Sequence, residues 1–398
     1  MTTTGRGDHH PWGVFLVFLR LGLTSFGGPV AHLGYFRTEL VERRHWLSER
    51  AYADLVALCQ FLPGPASSQV GMALGLLRAG YPGALAAWAG FTLPSAVALI
   101  LLALGMAQAG DALSAGGLNG LKLAAVAVVA QAVWGMARTL CPDAARRGFM
   151  LLAAAWVLLL PSAWAQVGVI ALAGGAGWLL FKPATTAPDE PLPLCLNRRA
   201  GQAWLALFAL LLVGLPLLVQ AVPGPALALA DAFYRAGALV FGGGHVVLPL
   251  LQAEVVSTGW VSQDTFLAGY GAAQAVPGPL FTFAAFLGAS MQHAPSGWVG
   301  GLIALVAVFA PSFLLVAGVL PFWEQLRRET RVQAALMGVN AAVVGLLLAA
   351  LWNPVITSAI HDLADVALAT LALVALMRWK QPPWAVVLGC GLAGWALG

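Results

Sequence analysis

Charge is the scarcest commodity in this 398-residue chain, where Asp, Glu, Lys and Arg make up 9% of the residues against roughly 25% in soluble domains. So few ionic groups cannot cover a water-facing surface when 60% of the residues are hydrophobic and mean hydropathy is +0.84. A soluble domain is excluded, and the expected class is a polytopic membrane protein whose solvent is the lipid bilayer. The 20 basic residues outnumber the 16 acidic ones but gather in short loops, so no nucleic acid partner is implied. Cysteine is also sparse. Cys59, Cys141, Cys195 and Cys390 lack metal-ligand spacing and read as small core residues. No phosphate-cradling Walker loop, nucleophile elbow or metal cluster appears, so a membrane enzyme is the weaker class and no cofactor is expected. Residues 1–10 are polar with one arginine, and no small-residue cleavage site follows the first apolar run, so a removable signal peptide is not expected.

What the chain has in abundance is apolar sequence. Thirteen hydrophobic segments fall near 11–36, 52–77, 83–106, 119–137, 148–160, 163–181, 201–222, 229–251, 266–292, 297–320, 333–352, 358–377 and 383–398. Several are shorter than the ~20 residues of a full crossing. Four are interrupted, at Phe26-Gly27-Gly28-Pro29-Val30-Ala31-His32, Pro63-Gly64-Pro65, Phe241-Gly242-Gly243-Gly244-His245 and Pro277-Gly278-Pro279. Glycine pairs admit backbone conformations closed to other residues and proline withholds an N–H, so a continuous helix is not expected through any of them. In hydrocarbon such a break survives only inside protein or along a polar cavity, which makes each one a candidate site.

The breaks belong to an internal repeat. Phe26 and Phe241 are 215 residues apart, and Trp46 and Trp260 are 214 apart, as are Pro63 and Pro277. Pro94 and Pro311 are separated by 217, and Trp134 and Trp352 by 218. An offset drifting so little through the same order of landmarks indicates duplication. Loop charge then orients the copies. Arg37, Arg43, Arg44 and Arg50 follow the first break, whereas 252–264 has no Lys or Arg; 107–118 has none, whereas 321–332 carries Arg327, Arg328 and Arg331. Since positive loops mark the cytoplasmic side, equivalent loops face opposite sides, as in an inverted repeat. Re-entrant hairpins at all four broken segments place nearly every basic loop in the cytoplasm. The expected fold is all-α, with a first repeat at 1–182, a Pro-rich linker and unpaired transmembrane helix at 183–228, and a second repeat at 229–398.

Helix ends meeting at mid-membrane form an anion cradle, because a helix N-terminus carries about half a positive charge and unpaired N–H groups. Single Pro and Gly kinks are common in packed helices; four in matched positions point to a site. The candidate substrate-binding residues are Gly27, Gly28, His32, Gly64, Ser67, Ser68, Gln69, Gly242, Gly243, Gly244, His245, Gly278 and Thr282, with hydroxyls and amides as donors. Gln60 and Gln274 precede the two Pro-Gly-Pro turns. Candidates for coupling or charge are Arg20 and its counterpart Arg235, the aligned pair Glu39 and Glu254, and Lys122 inside an apolar run. In a hairpin, Arg20 is expected deep enough to face the cradle. Solvated or paired side chains at loop edges are the alternative for the carboxylates, and snorkelling is the alternative for Lys122. Gly174-Gly175-Ala176-Gly177 reads as helix packing.

Both motifs in both halves, the Phe-Gly-Gly run with His32 or His245 and the Pro-Gly-Pro turn after Gln60, resemble the chromate ion transporter (CHR) family in its long-chain, two-domain form. The resemblance covers nearly the whole chain. It implies chromate export across a bacterial inner membrane, with sulfate as a similar oxyanion and two homologous halves in opposite orientation. A homo-oligomer is compatible with it. The second copy departs from the first, with Gly244 in place of Pro29 and no hydroxyl matching Ser67.

Overall fold

The computed structural model describes residues 10–109, 115–160, 162–182, 197–241, 243–326 and 329–397, and no strand occurs among them. Gly242, Arg327, Arg328, Cys195 and most of the Pro-rich linker therefore lie outside the described residues. In the first half, α1 (Pro11–Thr24) halts at Ser25, and α2 (Gly28–Phe36) restarts at the second glycine and widens into a π turn at Arg37–Arg43. After α3 (Glu49–Phe61) and the Pro63-Gly64-Pro65 turn comes α4 (Ala66–Ala109). This 44-residue run is two helices, because Ala79 and Gly80 leave helical geometry and the chain doubles back, seating Gly75 against the Gly83 backbone. The half ends with α5 (Ala115–Leu140), α6 (Ala144–Leu159) and α7 (Ala163–Leu180), and α8 (Arg198–Ala221) follows.

The second half repeats the order. It comprises α9 (Pro225–Leu239), a 3-10 turn at Gly244–Val246, α10 (Val247–Val255), α11 (Gln263–Ala273), a 3-10 turn at Leu280–Thr282, α12 (Phe283–Ala289) and α13 (Gly297–Val319). Then come α14 (Trp323–Leu326), α15 (Thr330–Ala350), a π segment at Leu351–Ile356, α16 (Thr357–Ala359), α17 (Leu363–Met377) and α18 (Pro383–Leu397). Matched caps start matched helices: Ser48 accepts from the Ala51 N–H and Ser262 from the Thr265 N–H, satisfying one free amide at the start of α3 and of α11. Cys59, Cys141 and Cys390 are buried, as their apolar settings predict.

All four broken segments are hairpins. Phe18 of α1 meets Phe36 edge-on at 5.5 Å between ring centroids and lies 6.4 Å from Trp46, so the chain returns alongside α1. The Arg78 guanidinium, at the end of the first arm of α4, sits 5.3 Å above the Trp46 ring just before α3 begins. In the second half, Arg235 of α9 reaches Glu254 of α10, and the Gln292 N–H donates to the Trp260 carbonyl across the base of the α11–α12 hairpin.

Inversion shows in one pair of helices. The second arm of α4 and α13 are equivalents, carrying Pro94-Ser95 and Pro311-Ser312, and they pack side by side in opposite directions. Leu104 lies by Gly297, Ile100 by Gly301, and Trp88 by Phe309 at 6.0 Å between centroids. The halves also exchange partners. Gly338 of α15 seats its backbone on Ala173 and Gly177 of α7, while Gly120 of α5 does the same on Cys390 of α18. Small residues let backbones approach where lipid offers no hydrophobic drive, and Gly177 confirms the packing role read from its motif. Five runs are long and apolar enough to cross a membrane: Ala66–Gln108, Gly116–Leu140, Arg198–Ala221, Gly297–Phe322 and Thr330–Ala359. The kink divides the first of these into two arms.

Cysteine labelling in a cysteine-free background tests this arrangement. Ser48→Cys and Ser262→Cys, at equivalent hairpin bases, should react with a membrane-impermeant maleimide from opposite sides, whereas reaction from one side contradicts inversion.

Candidate functional site

The four tips meet, and they meet by exchange. The Gly64 N–H at the first Pro-Gly-Pro turn donates to the Val240 carbonyl at 2.6 Å, beside the second-half glycine break. The Gly278 N–H at the other Pro-Gly-Pro turn donates to the Ser25 carbonyl at 2.9 Å, beside the first-half break. Ser25 and Val240 are equivalents, as are Gly64 and Gly278, so one hydrogen bond is made twice across the pseudo-two-fold. At the centre, a Cβ on Gly244 would stand 3.5 Å from Pro29 Cγ and 3.9 Å from Leu280 Cβ.

Glycine is required at these tips for two reasons. Gly27, Gly28, Gly64, Gly243 and Gly278 hold φ of +101°, +78°, +122°, +141° and +103°, which L side chains rarely adopt. At the Pro-Gly-Pro turns space is also closed: a Cβ on Gly64 would strike Ser312 Oγ, and one on Gly278 would come within 2.8 Å of Ser95 Oγ. Each hairpin's returning arm starts at its tip, at Gly28, Ala66, Gly244 and Leu280. Their initial N–H groups lack intrahelical acceptors and bring partial positive charge to one buried place.

Side chains around the tips add donors. His32 is 1% exposed, with Nδ1 3.4 Å from Ser67 Oγ and its ring edge-on to Phe91 at 5.3 Å. Its Nε2 has no partner among the described residues, nor do Ser68 Oγ, Ser25 Oγ, Thr92 Oγ1 and Ser312 Oγ. Ser25, Thr92 and Ser312 escaped the sequence reading; a hydroxyl beside Pro94 or Pro311 in an apolar helix was the available signal. His245 shares a 2.8 Å hydrogen bond between Nδ1 and the hydroxyl of Tyr270, a residue that no sequence motif singled out.

Several candidates have other work. Gln69 gives its amide N–H to the Pro63 carbonyl at 2.6 Å, bracing the turn, and its remaining buried atom without a partner is the acceptor Oε1, which repels an anion. Thr282 Oγ1 similarly bonds the Pro279 carbonyl at 2.7 Å. Gln274 leaves Nε2 without a partner. Arg20 does not face the tips. It is exposed on α1 and lines a pocket of about 550 Å³ with His10, Trp12, Leu16 and Arg44, because its place in the hairpin turns outward. Arg235 is held by Asp231 at 3.0 Å and by both oxygens of Glu254 at 2.8 and 3.0 Å. Glu39 is 9% exposed and pairs with Arg43 at 3.2 Å and Arg44 at 2.8 Å. Lys122 bridges the halves to Asp264 at 3.0 Å, at the base of the α11–α12 hairpin and far along α11 from its tip. These charges hold the scaffold, and the donors at the tips carry no fixed charge.

The sequence matches the Chromate transporter family over residues 12–178 and again over 227–395. The chain belongs to that family. It is therefore a membrane transporter and not an enzyme. It is similar to the chromate transport protein of Pseudomonas aeruginosa, with 30% identity covering 96% of this chain and 91% of that one. The probable chromate transport protein of Synechococcus elongatus is also 30% identical, over 91% and 88% of the two chains. An uncharacterised transporter of Bacillus subtilis, YwrA, is 29% identical over 41% of this chain but 92% of its own, so one half of this chain corresponds to a whole protein there. No solved structure matches.

Two outcomes are expected. Gly64→Ala and Gly278→Ala should cut chromate flux in membrane vesicles by at least about tenfold while the inserted amount is unchanged, since strain and collision of roughly 1–3 kcal/mol fall on the tips. Arg235→Gln strands the buried Asp231 and the partly buried Glu254 and should lower thermal stability by about 3–5 kcal/mol, read from denaturation in detergent.

Proposed function

We propose that the chain exports chromate from the cytoplasm by alternating access, holding the dianion at the four meeting tips. The exchanged Gly64 and Gly278 hydrogen bonds carry this reading, since they gather four helix starts and unpartnered hydroxyls into one buried place. A tetrahedral dianion accepts hydrogen bonds in many directions, and amides with hydroxyls supply them without a fixed cation that would hold it too tightly to release. Gly27, Gly28, Gly243 and Gly244 shape the tips, and His32, Ser67 and Ser68 donate. The homologous units are the repeats 1–182 and 229–398, joined by 183–228; because they exchange helices, the bodies that move to expose the tips to each side in turn each combine helices of both repeats.

Direction follows from energetics. An inside-negative potential favours outward anion movement by about 2.3 kcal/mol per charge per 100 mV, twice that for a dianion. No nucleotide motif occurs in the sequence, so the drive is the potential or a proton gradient. Sulfate is the second reading, because neutral donors that recognise shape and charge fit both oxyanions.

Proteoliposomes without ATP test the mechanism. Chromate should move when a potential is imposed, and faster as the potential increases. No flux with a potential and none after adding a proton gradient contradicts secondary transport. Sulfate that fails to compete with chromate for uptake into everted vesicles removes the second reading.

A further inference from the structure

The duplicated scaffold carries an unduplicated set of donors. At the first-half tips stand Ser25, His32, Ser67 and Ser68, with Thr92 next to Phe91, the ring that His32 meets edge-on at 5.3 Å, and each of the five is no more than 2% exposed. Their counterparts by the repeat offset are Val240, Val247, Phe281, Thr282 and Phe309. Four of the five polar side chains have thus become Val or Phe. The fifth, Thr282, spends its hydroxyl on the Pro279 carbonyl. Phe281 and Phe309 fill the vacated space themselves, with ring centroids 5.9 Å apart and Phe309 against Trp88 at 6.0 Å.

One further aligned pair, Ser95 and Ser312, keeps its hydroxyl in both halves and is also unequal. Ser95, facing the second-half turn at Gly278, gives its hydroxyl to the Thr92 carbonyl at 3.0 Å. Its equivalent Ser312 faces the first-half turn at Gly64 and has no partner among the described residues. Exchange of partners between halves therefore delivers even the second half's free hydroxyl to the first-half tip. The second half's own polar pair, His245 and Tyr270, is joined by a 2.8 Å hydrogen bond. A buried polar atom without a partner is costly, and four of them, on Ser25, His32, Ser68 and Thr92, belong to the first half, while Ser312 reaches its turn and Gln274 Nε2 is the counterpart near the second-half turn; this imbalance calls for a ligand on the first-half side.

Resting on the transport reading above, we infer that the chain has one oxyanion site, displaced from the pseudo-two-fold axis onto the first half. Ser25, His32, Ser68, Thr92 and Ser312 recognise the tetrahedral dianion through side chains. The second half supplies an apolar wall at Phe281 and Phe309 and the backbone amides of its tips. One dianion is bound per chain, and the halves differ in function: the first selects and the second closes over the site.

The test is chromate affinity of purified full-length protein in nanodiscs, by chromate-dependent thermal shift, with the unliganded unfolding temperature recorded for each variant. Ser68→Ala and Thr92→Val should each raise the Kd about tenfold or more, the loss of one hydrogen bond to a charged group. Thr92→Ser, which keeps the hydroxyl, should stay within about threefold, as should Thr282→Val, which removes the second-half hydroxyl already spent on the Pro279 carbonyl. Losses of equal size from Ser68→Ala and Thr282→Val, or Ser68→Ala and Thr92→Val within threefold of wild type, overturn the single displaced site while leaving transport standing. A wild-type protein that neither chromate, sulfate nor molybdate stabilises overturns the transport reading itself, and this inference with it.

Discussion

An amide that enters hydrocarbon must be hydrogen-bonded, and that constraint shapes this molecule at its weakest point. Each Pro-Gly-Pro turn presents a glycine N–H that its own hairpin cannot satisfy, and each finds a carbonyl at the other half's glycine break. The two bonds make each hairpin pair incomplete without the opposite half. The same dependence continues outward, where α15 packs on α6 and α7 while α5 packs on α17 and α18. The breaks are thereby sealed from lipid, and the helix starts they create are left facing each other.

Duplication fixed the scaffold, and substitution has since distinguished its copies. At the hairpin bases, Arg20 is exposed beside Arg44, while its equivalent Arg235 is locked between Asp231 and Glu254. Two differences produce this: Leu16 in the first half stands where the second has Asp231, and Glu39, the counterpart of Glu254, is taken by Arg43 and Arg44. Because the halves are inverted, a basic hairpin base and an acidic one lie toward opposite faces. A basic hairpin base raises the local concentration of anions at the face it lies toward.

Much of this was legible in the sequence because it rests on backbone chemistry. Glycine and proline announce breaks, the repeat offset pairs them, and arginine-bearing loops orient the halves; the hairpins and the inversion follow. Residues whose role depends on partners far along the chain were less legible. Arg20 was expected at the tips, but the hairpin turns it outward, and no local pattern encodes that rotation. Gln69 has the donors an anion needs, yet the adjacent Pro63 carbonyl claims them. Ser312 could not be placed at the first-half tip from sequence, since it arrives there by exchange between halves. Ser25 and Thr92 passed unnoticed for a simpler reason: a hydroxyl in an apolar segment carries no periodicity, and though a nearby proline or glycine break hints at it, its unmet hydrogen bond is what marks it.

The central claim is that interrupted helices from two inverted halves hold a dianion at their meeting tips. A structure of the protein bound to a heavy tetrahedral oxyanion such as selenate or molybdate tests it most directly. The account predicts anomalous density among Ser25, His32, Ser68 and Thr92, within hydrogen-bonding distance of the tip amides. Density confined to the Arg20 and Arg44 pocket, with none at the tips under saturating oxyanion, would contradict it.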